Sequence, residues 1–265
     1  MAQVRVLVLR APGTNCDGET VFAFERAGGQ VDRLHVNRLL ESPAQLADYQ
    51  VLCLPGGFSY GDDIGAGRIL ANQIRHHLAE CLEQFRAAGK LILGICNGFQ
   101  VLIKSGVLLP PERGFELPAT LTWNQSGKFE DRWIHVRTVG SKSVFFAGID
   151  SMYLPVAHAE GKFVPRSASV LQELSRSGQL VLRYGDGPAA DEVPAMAAHV
   201  AYPENPNGSL GDVAGLSDAT GRVCGLMPHP ERHIDPTQHP RWTRGPLPAA
   251  GDGLRVFQNA VNYFK

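Results

Sequence analysis

The N-terminal part of the chain alternates short apolar runs with stretches of amphipathic spacing. Residues 4–9 form a β-branched run that ends at the turn sequence APG, and apolar positions at helical spacing follow up to a glycine pair. Further apolar runs at 31–36 and 51–54 are typical of strands, and the second ends at PGG, residues 55–57. This pattern predicts a strand, a helix and two more strands in succession.

A long helix and a buried strand are predicted next. Residues 66–88 place apolar side chains on one helical face and end before Gly89, a residue that readily adopts the left-handed conformation. The apolar run 91–95 then leads into Cys96 and a second helix over 98–105. Alternating strands and helices imply crossover connections, so we predict an α/β fold with an open, mostly parallel sheet and helices on both faces.

The C-terminal half has shorter apolar runs with β character. They predict strands that extend the sheet or form an antiparallel flap, at 133–139, 152–156, 180–184, 196–202 and 223–227. Prolines within 186–208 predict surface loops around one of these strands, and 233–252 predicts a long excursion before a final helix at 254–264. No repeat or linker divides the chain, which predicts one domain over 1–265.

Composition and charge exclude several classes of protein. The chain has 265 residues, of which 44% are hydrophobic and 19% charged, so it can bury a sizeable core. Its 25 basic and 26 acidic residues give a net charge of -1, so there is no electrostatic reason to expect a nucleic-acid or membrane partner.

The cysteines and the N-terminus indicate the compartment. Five widely spaced cysteines without a CxxC pair fit neither a disulfide framework nor a zinc ribbon, which favours a reducing environment. The N-terminal apolar run of about six residues is too short for a signal sequence or a membrane span. We therefore expect a cytoplasmic protein.

The sequence GICNG at 94–98 is a GxCxG motif between a predicted buried strand and a predicted helix. It has the form of a nucleophile elbow in which sulfur replaces oxygen. A lone cysteine is more often a small buried hydrophobe, but ligands of open α/β sheets bind at the carboxyl ends of the strands. The position therefore predicts that Cys96 is a nucleophile.

A cysteine nucleophile needs a base, because a helix N-terminus alone stabilises a thiolate by only about 0.3–1 kcal/mol. Prolines flank His229 and should hold it extended, which would place His229 and Glu231 on one face, as a triad requires. Without Cys96, a rigid turn with a solvated histidine would be the better interpretation. HPERH at 229–233 is not HExxH, and no metal site is predicted.

The glycine-rich turn PGGFSYGD at 55–62 follows another strand at the same sheet edge. No GK[ST] follows it, so a phosphate-binding P-loop is rejected. The alternatives are an ordinary turn or a backbone N–H donor to an oxyanion. Acyl transfer needs two such donors, and the N–H of Asn97 supplies only one.

With these segments together, the sequence resembles the class I, triad-type glutamine amidotransferases, whose domain is flavodoxin-like. GICNGFQ at 94–100 is similar to their nucleophile segment and PHPE at 228–231 to their His-Glu segment. APGTNCD, PGGFSYGD, PVAHAEG, NGS and MPHPER together resemble the glutaminase subunits of phosphoribosylformylglycinamidine synthase, which acts in purine synthesis. The resemblance covers nearly the whole chain.

The resemblance implies roles for particular residues. Cys96 would be the nucleophile, His229 the general base and then acid, and Glu231 its orienting partner. The N–H groups of Gly57 and Asn97 would form the oxyanion hole. Gln100 and His158 would bind glutamine, and Glu160 would line the same pocket.

The resemblance also implies partners. The chain would hydrolyse glutamine and pass ammonia to a synthase subunit, in a complex that can include a small third subunit. No cofactor is expected in this chain, and ATP and magnesium are expected on the synthase. Two alternatives stay open at this point: the glutaminase subunit of another ATP-dependent amidotransferase, and a non-catalytic subunit that only binds glutamine.

Overall fold

The computed structural model describes residues 3–111, 116–140, 142–186 and 196–265, and its main feature is a nine-stranded sheet. Within these residues the strands are β1 (Arg5–Arg10), β2 (Gln30–His35), β3 (Val51–Leu54), β4 (Leu91–Ile95), β5 (Ala119–Thr122), β6 (Glu130–Thr138), β7 (Ser151–His158), β8 (Lys162–Pro165), β9 (Leu180–Tyr184), β10 (Val213–Ser217) and β11 (Val223–Leu226). Strands β5 and β8 form a separate antiparallel pair.

The strand order of the large sheet is β2-β1-β3-β4-β11-β10-β9-β6-β7. The first five strands pair in parallel, and the pairings from β11 to β7 are all antiparallel. Because two reversals restore the original direction, only β10 and β6 run against the others. The prediction of an open, mostly parallel sheet is confirmed, and the later strands extend that sheet.

Seven α-helices lie within the described residues: α1 (Asp17–Arg26), α2 (Val36–Glu41), α3 (Arg68–Gln73), α4 (Ala79–Ala87), α5 (Asn97–Ser105), α6 (Ala168–Arg176) and α7 (Leu254–Asn262). Every residue of β3 and β4 is buried, and successive strand residues point to opposite faces. Helices therefore cover both faces of the central strands. None of these helices is long and apolar enough to cross a membrane.

Helix packing holds the two ends of the chain together. Helix α1 contacts α7, and the rings of Phe24 and Phe257 meet edge to face with centroids 4.9 Å apart. Helix α5 instead packs on α3 and on strands β3 and β4. The second contact matters for function because α5 begins directly after Cys96.

The structure differs from two of the predicted elements, and it adds strands β5, β8 and β10, which were not predicted. The predicted helix over 66–88 starts at Arg68 and contains a π-helical turn, Ile74–Leu78, between α3 and α4. The predicted strand at 196–202 is wrong: its described residues form bends and turns. The backbone N–H groups of His199 and Val200 donate to the carboxylate of Asp212, each at 3.0 Å. These N–H groups therefore bond to a side chain and not to the backbone of a neighbouring strand.

Candidate active site

The predicted functional residues meet at the carboxyl edge of the sheet. Cys16 follows β1, Gly57 follows β3, Cys96 follows β4 and His229 follows β11, while His158 is the last residue of β7. These five strands run in one direction, so their carboxyl ends lie along one edge. Candidate functional residues that are far apart in the sequence therefore lie close together at this edge.

Cys96 occupies a strained turn, as the glycine pattern predicts. Its backbone has φ 51° and ψ -105°, a conformation that is unfavourable for any residue with a Cβ. The Cys96 N–H donates to the carbonyl of Leu226 at 2.8 Å, and the Sγ atom lies 3.8 Å from the carbonyl of Ala157. The neighbouring strands thus hold the elbow, and the 4% exposed cysteine faces inward.

Gly98 shows why the GxCxG motif requires glycine two residues after Cys96. A Cβ built there would lie 1.9 Å from the carbonyl oxygen of Leu54, which is backbone and cannot move aside. We expect Gly98→Ala to lower the free energy of unfolding by about 1–3 kcal/mol, as overpacking does.

Gly18 provides the matched control for that substitution. It lies in α1 with nothing within 4 Å of an added Cβ, so Gly18→Ala should be neutral or stabilising by up to about 1 kcal/mol. Urea denaturation of both variants measures the difference. Equal stability of the two variants would contradict the steric argument.

His229 and Glu231 form a buried pair. Nδ1 of His229 lies 2.6 Å from Oε1 of Glu231, and the two residues are 1% and 0% exposed. The pairing of His229 with Glu231 was predicted. The extended backbone that was expected to place them on one face is wrong for the residues after His229. Residues Pro230–Arg232 form a 3-10 turn, closed by the Arg232 N–H donating to the His229 carbonyl at 3.2 Å, and this turn brings the carboxylate back to the ring.

The charges around His229 favour its protonated form. Burial alone would lower the pKa of His229, but the Glu231 carboxylate and the neighbouring Cys96 and Cys16 raise it well above the ordinary value. Nε2 of His229 is buried and has no hydrogen-bond partner among the described residues. The raised pKa makes the neutral ring a stronger base at this nitrogen toward the proton of a thiol.

Two backbone N–H groups remain available for an oxyanion. Phe58 donates to the Gly13 carbonyl at 2.9 Å and Cys16 to the Gly56 carbonyl at 3.2 Å, an antiparallel bridge in which the N–H of Gly57 is not used. The N–H of Asn97 begins α5 and has no acceptor within the helix. Both predicted donors thus remain candidates for the oxyanion hole.

The predicted glutamine-binding residue Gln100 is engaged with the protein itself. Its Oε1 accepts from Nδ2 of Asn97 at 2.9 Å, and its Nε2 donates to the backbone carbonyl of Glu160. The carboxylate of Glu160 accepts from the Ala66 N–H at 3.1 Å and pairs with Lys104 at 3.5 Å. Gln100 therefore links helix α5 to the segment after β7, and its role in glutamine binding stays a prediction.

His158 lies beside the triad in a fully buried position. Its Nδ1 is 3.1 Å from Oδ1 of Asn124, which also accepts from the Gly161 N–H at 3.0 Å. Burial first, and then the charge of His229, lower the pKa of His158 to about 3. The ring is thus neutral in the folded protein near pH 7.

This neutral histidine has a consequence for stability. Between pH 6.5 and about 3 the unfolded chain protonates at this residue and the folded chain does not, so the free energy of unfolding decreases as the pH falls. We expect His158→Gln to reduce this slope by up to about 1.4 kcal/mol per pH unit, measured by denaturant unfolding at several pH values. The exposed His77 provides the control, and an unchanged slope in His158→Gln would contradict the assignment.

Sequence reasoning missed two residues that contact the triad. Cys16 is 1% exposed, and the thiols of Cys16 and Cys96 both raise the pKa of His229. Arg232 donates from Nη2 to Sγ of Cys16 at 3.1 Å and from Nε to Glu19 at 3.1 Å. The position of Cys16 after β1, at the same sheet edge as Cys96, was the signal that could have indicated it.

Comparison with known proteins agrees with this geometry. The family model described as "CobB/CobQ-like glutamine amidotransferase domain" matches residues 3–264. The chain belongs to this family. Family membership confirms the predicted resemblance to glutamine amidotransferases, and it covers all the residues discussed above.

The most similar relatives that we compared belong to one group of glutamine amidotransferases. The chain is 47% identical over 264 residues to "Phosphoribosylformylglycinamidine synthase subunit PurQ" of Dehalococcoides mccartyi, covering 99% of this chain and 98% of that protein. The protein with the same description from Methanococcus maripaludis is 40% identical over 271 residues, with 98% of each chain covered. A chain in the "Structure of PurLQS from Thermotoga maritima" is 30% identical with a TM-score of 0.72 and complete coverage of both chains. These matches confirm the narrower resemblance and the fold class.

Proposed function

We propose that Cys96, His229 and Glu231 form the catalytic triad of a glutaminase. The observation that carries this assignment is the strained, inward-facing thiol of Cys96 at the sheet edge that also holds the buried His229–Glu231 pair. A protein that only binds glutamine needs neither the strained elbow nor a buried histidine–carboxylate pair.

The first half of the reaction forms a thioester. His229 takes the proton of the Cys96 thiol at Nε2, and the thiolate attacks the side-chain amide carbon of glutamine. The negative charge that develops on the amide oxygen is stabilised by the N–H groups of Gly57 and Asn97. His229 then gives its proton to the leaving nitrogen, and ammonia departs as the tetrahedral intermediate collapses.

The second half releases glutamate. Water attacks the thioester carbon while Nε2 of His229 accepts its proton, and the same proton returns to the sulfur of Cys96 as the C–S bond breaks. Throughout, the Glu231 carboxylate holds Nδ1 at 2.6 Å and stabilises the imidazolium. His158, neutral and adjacent, adds no competing positive charge near pH 7.

The chain is the glutaminase subunit of phosphoribosylformylglycinamidine synthase. It delivers ammonia to the synthase subunit, which converts formylglycinamide ribonucleotide to formylglycinamidine ribonucleotide in purine biosynthesis. The relatives at 47% and 40% identity favour this acceptor over those of other amidotransferases. We assign ATP and magnesium to the synthase and none to this chain, and we place the reaction in the cytoplasm.

Covalent labelling with a glutamine-like chloroketone tests the assignment to Cys96. We expect one label per chain, located on Cys96 by peptide mass spectrometry and slowed by added glutamine. Cys81, a half-buried cysteine on α4, should remain unmodified because it lies outside the glutamine site. Absence of labelling, or labelling that glutamine does not slow, would favour a non-catalytic binding subunit.

A further inference from the structure

Four exposed apolar side chains border the carboxyl edge of the sheet. Phe58 and Ile64 lie on the loop after β3. Trp123 and Phe129 lie on the segment between β5 and β6. The rings of Phe58 and Phe129 have centroids 6.3 Å apart. Because Ile64 and Trp123 line one cavity of about 350 Å³, the four side chains form one surface, which we call the edge patch.

Both segments that carry the edge patch are fixed to residues of the proposed active site. The Ser59 N–H donates to Oδ1 of Asn97 at 3.2 Å, which joins the loop after β3 to the start of α5. Oδ1 of Asn124 lies 3.1 Å from Nδ1 of His158, and the Asn124 N–H donates to the carbonyl of Ala159 at 2.8 Å. The edge patch therefore lies beside the place where the proposed reaction releases ammonia.

Cationic side chains line the same cavity. Arg68, Arg75 and Lys104 contribute to its wall, and Glu160 is the carboxylate among the lining residues. Lys104 pairs with Glu160 at 3.5 Å. The guanidinium groups of Arg68 and Arg75 instead donate to neutral oxygens three or four residues earlier in the chain, and neither has a carboxylate partner within the described residues. The cavity therefore has an excess of positive charge, which complements an acidic surface.

On the basis of the proposed function, we propose that the edge patch is the docking surface for the synthase subunit. The synthase presents apolar side chains and carboxylates to this surface. A partner seated here covers the sheet edge and separates ammonia formed at Cys96 from bulk water, where protonation would remove its nucleophilic lone pair. Contiguous exposed apolar surface next to charged groups is typical of a protein–protein contact.

The charges of the cavity argue against a second copy of this chain as the occupant. A two-fold symmetric dimer places the same patch on both sides of the interface. Arg68 and Arg75 of one copy would then lie close to the same arginines of the other, and like charges brought together oppose association. A different chain with carboxylates at this position meets no such repulsion.

Trp123 is the side chain with the largest expected contribution to this contact. It is 61% exposed, so it adds little to the stability of the uncomplexed chain. Tryptophan and arginine are the residues that most often dominate the binding energy of an interface. We expect Trp123→Ala to raise the dissociation constant of the complex at least about tenfold. Glutaminase turnover of the uncomplexed chain should not change.

Titration of the purified complex partners measures this effect, followed by isothermal calorimetry or biolayer interferometry. Arg75→Glu tests the charge: it should also weaken binding, and the loss should become smaller at high salt concentration. Phe22→Ala is the matched control for Trp123→Ala, since Phe22 is an exposed aromatic residue of α1 outside the edge patch. It should bind as the unmodified protein does, and circular dichroism checks the fold of each variant.

The outcomes separate the docking surface from the proposed function. Undiminished binding of Trp123→Ala and Arg75→Glu would overturn the docking surface, even with normal glutaminase turnover. Self-association of the uncomplexed chain that Trp123→Ala abolishes would assign the edge patch to a second copy and also overturn it. Weakened binding of both variants supports the docking surface, and lack of turnover in the unmodified complex would then refute the glutaminase assignment alone.

Discussion

Replacing Cys96 by alanine should abolish glutamine-dependent synthesis by the complex and leave synthesis from an added ammonium salt intact. In the proposed mechanism the Cys96 sulfur bonds to glutamine, and alanine at this position has no group that could replace it. In the proposed division of labour the acceptor reacts on the synthase subunit, so ammonia from solution bypasses the missing step. Both activities are measured as product formation on the same complex, first with glutamine and then with ammonium.

Assembly must be verified for this comparison, because an unassembled variant would also lack the coupled activity. Size-exclusion chromatography of the Cys96→Ala complex provides that check. If an assembled variant loses both activities, the division of labour between the two subunits is wrong. Residual glutamine-dependent activity would assign the nucleophile to another residue, with Cys16 the first candidate because it also lies beside His229.

Glu231→Gln should fold normally and lose roughly 10- to 10³-fold in glutaminase turnover. The amide has nearly the size of the carboxylate, so packing in this fully buried site is kept. The charge that raises the pKa of His229 is removed, and the imidazolium formed after proton transfer is no longer stabilised. A thiol depends less on its base than a hydroxyl does, which limits the loss.

Glu19 provides a matched control for the Glu231 substitution. Its carboxylate pairs with Arg232 at 3.1 Å, close to the site but not in the triad, so Glu19→Gln should change turnover only a few-fold. Steady-state glutaminase assays measure both variants. Unchanged turnover in Glu231→Gln would assign Glu231 a structural role, and equal losses in both variants would show that the effect is not specific to the triad.

The parts of the site that could be predicted depend on local chemistry. The elbow at Cys96 follows from two flanking glycines between an apolar strand and a helix, and all of these are neighbours in sequence. The pairing of His229 with Glu231 was predicted for the same reason, although through the wrong backbone conformation. Two prolines restrict φ at their own positions, but they do not exclude the 3-10 turn that the chain adopts.

The parts that could not be predicted depend on contacts between distant segments. The position after β1 places Cys16 at the carboxyl edge of the sheet, but its approach to His229 also requires β1 and β11 to lie in one sheet, which depends on contacts between segments distant in sequence. Strand β10 was not predicted because a glycine interrupts its short apolar run. Its pairing with β9 also has an irregular register, which depends on tertiary contacts. The segment at 196–202 has apolar residues, yet its Met196 and Tyr202 are 39% and 60% exposed, so its pattern does not describe a core strand.

The central position of β11 delays completion of the sheet until the end of synthesis. This strand is the last of the sheet in sequence, yet it lies between β4 and β10. A nascent chain on the ribosome therefore exposes two unpaired strand edges until the C-terminal segment has emerged. The same strand leads to His229, so incomplete chains hold Cys96 without His229 and, by the proposed mechanism, cannot consume glutamine.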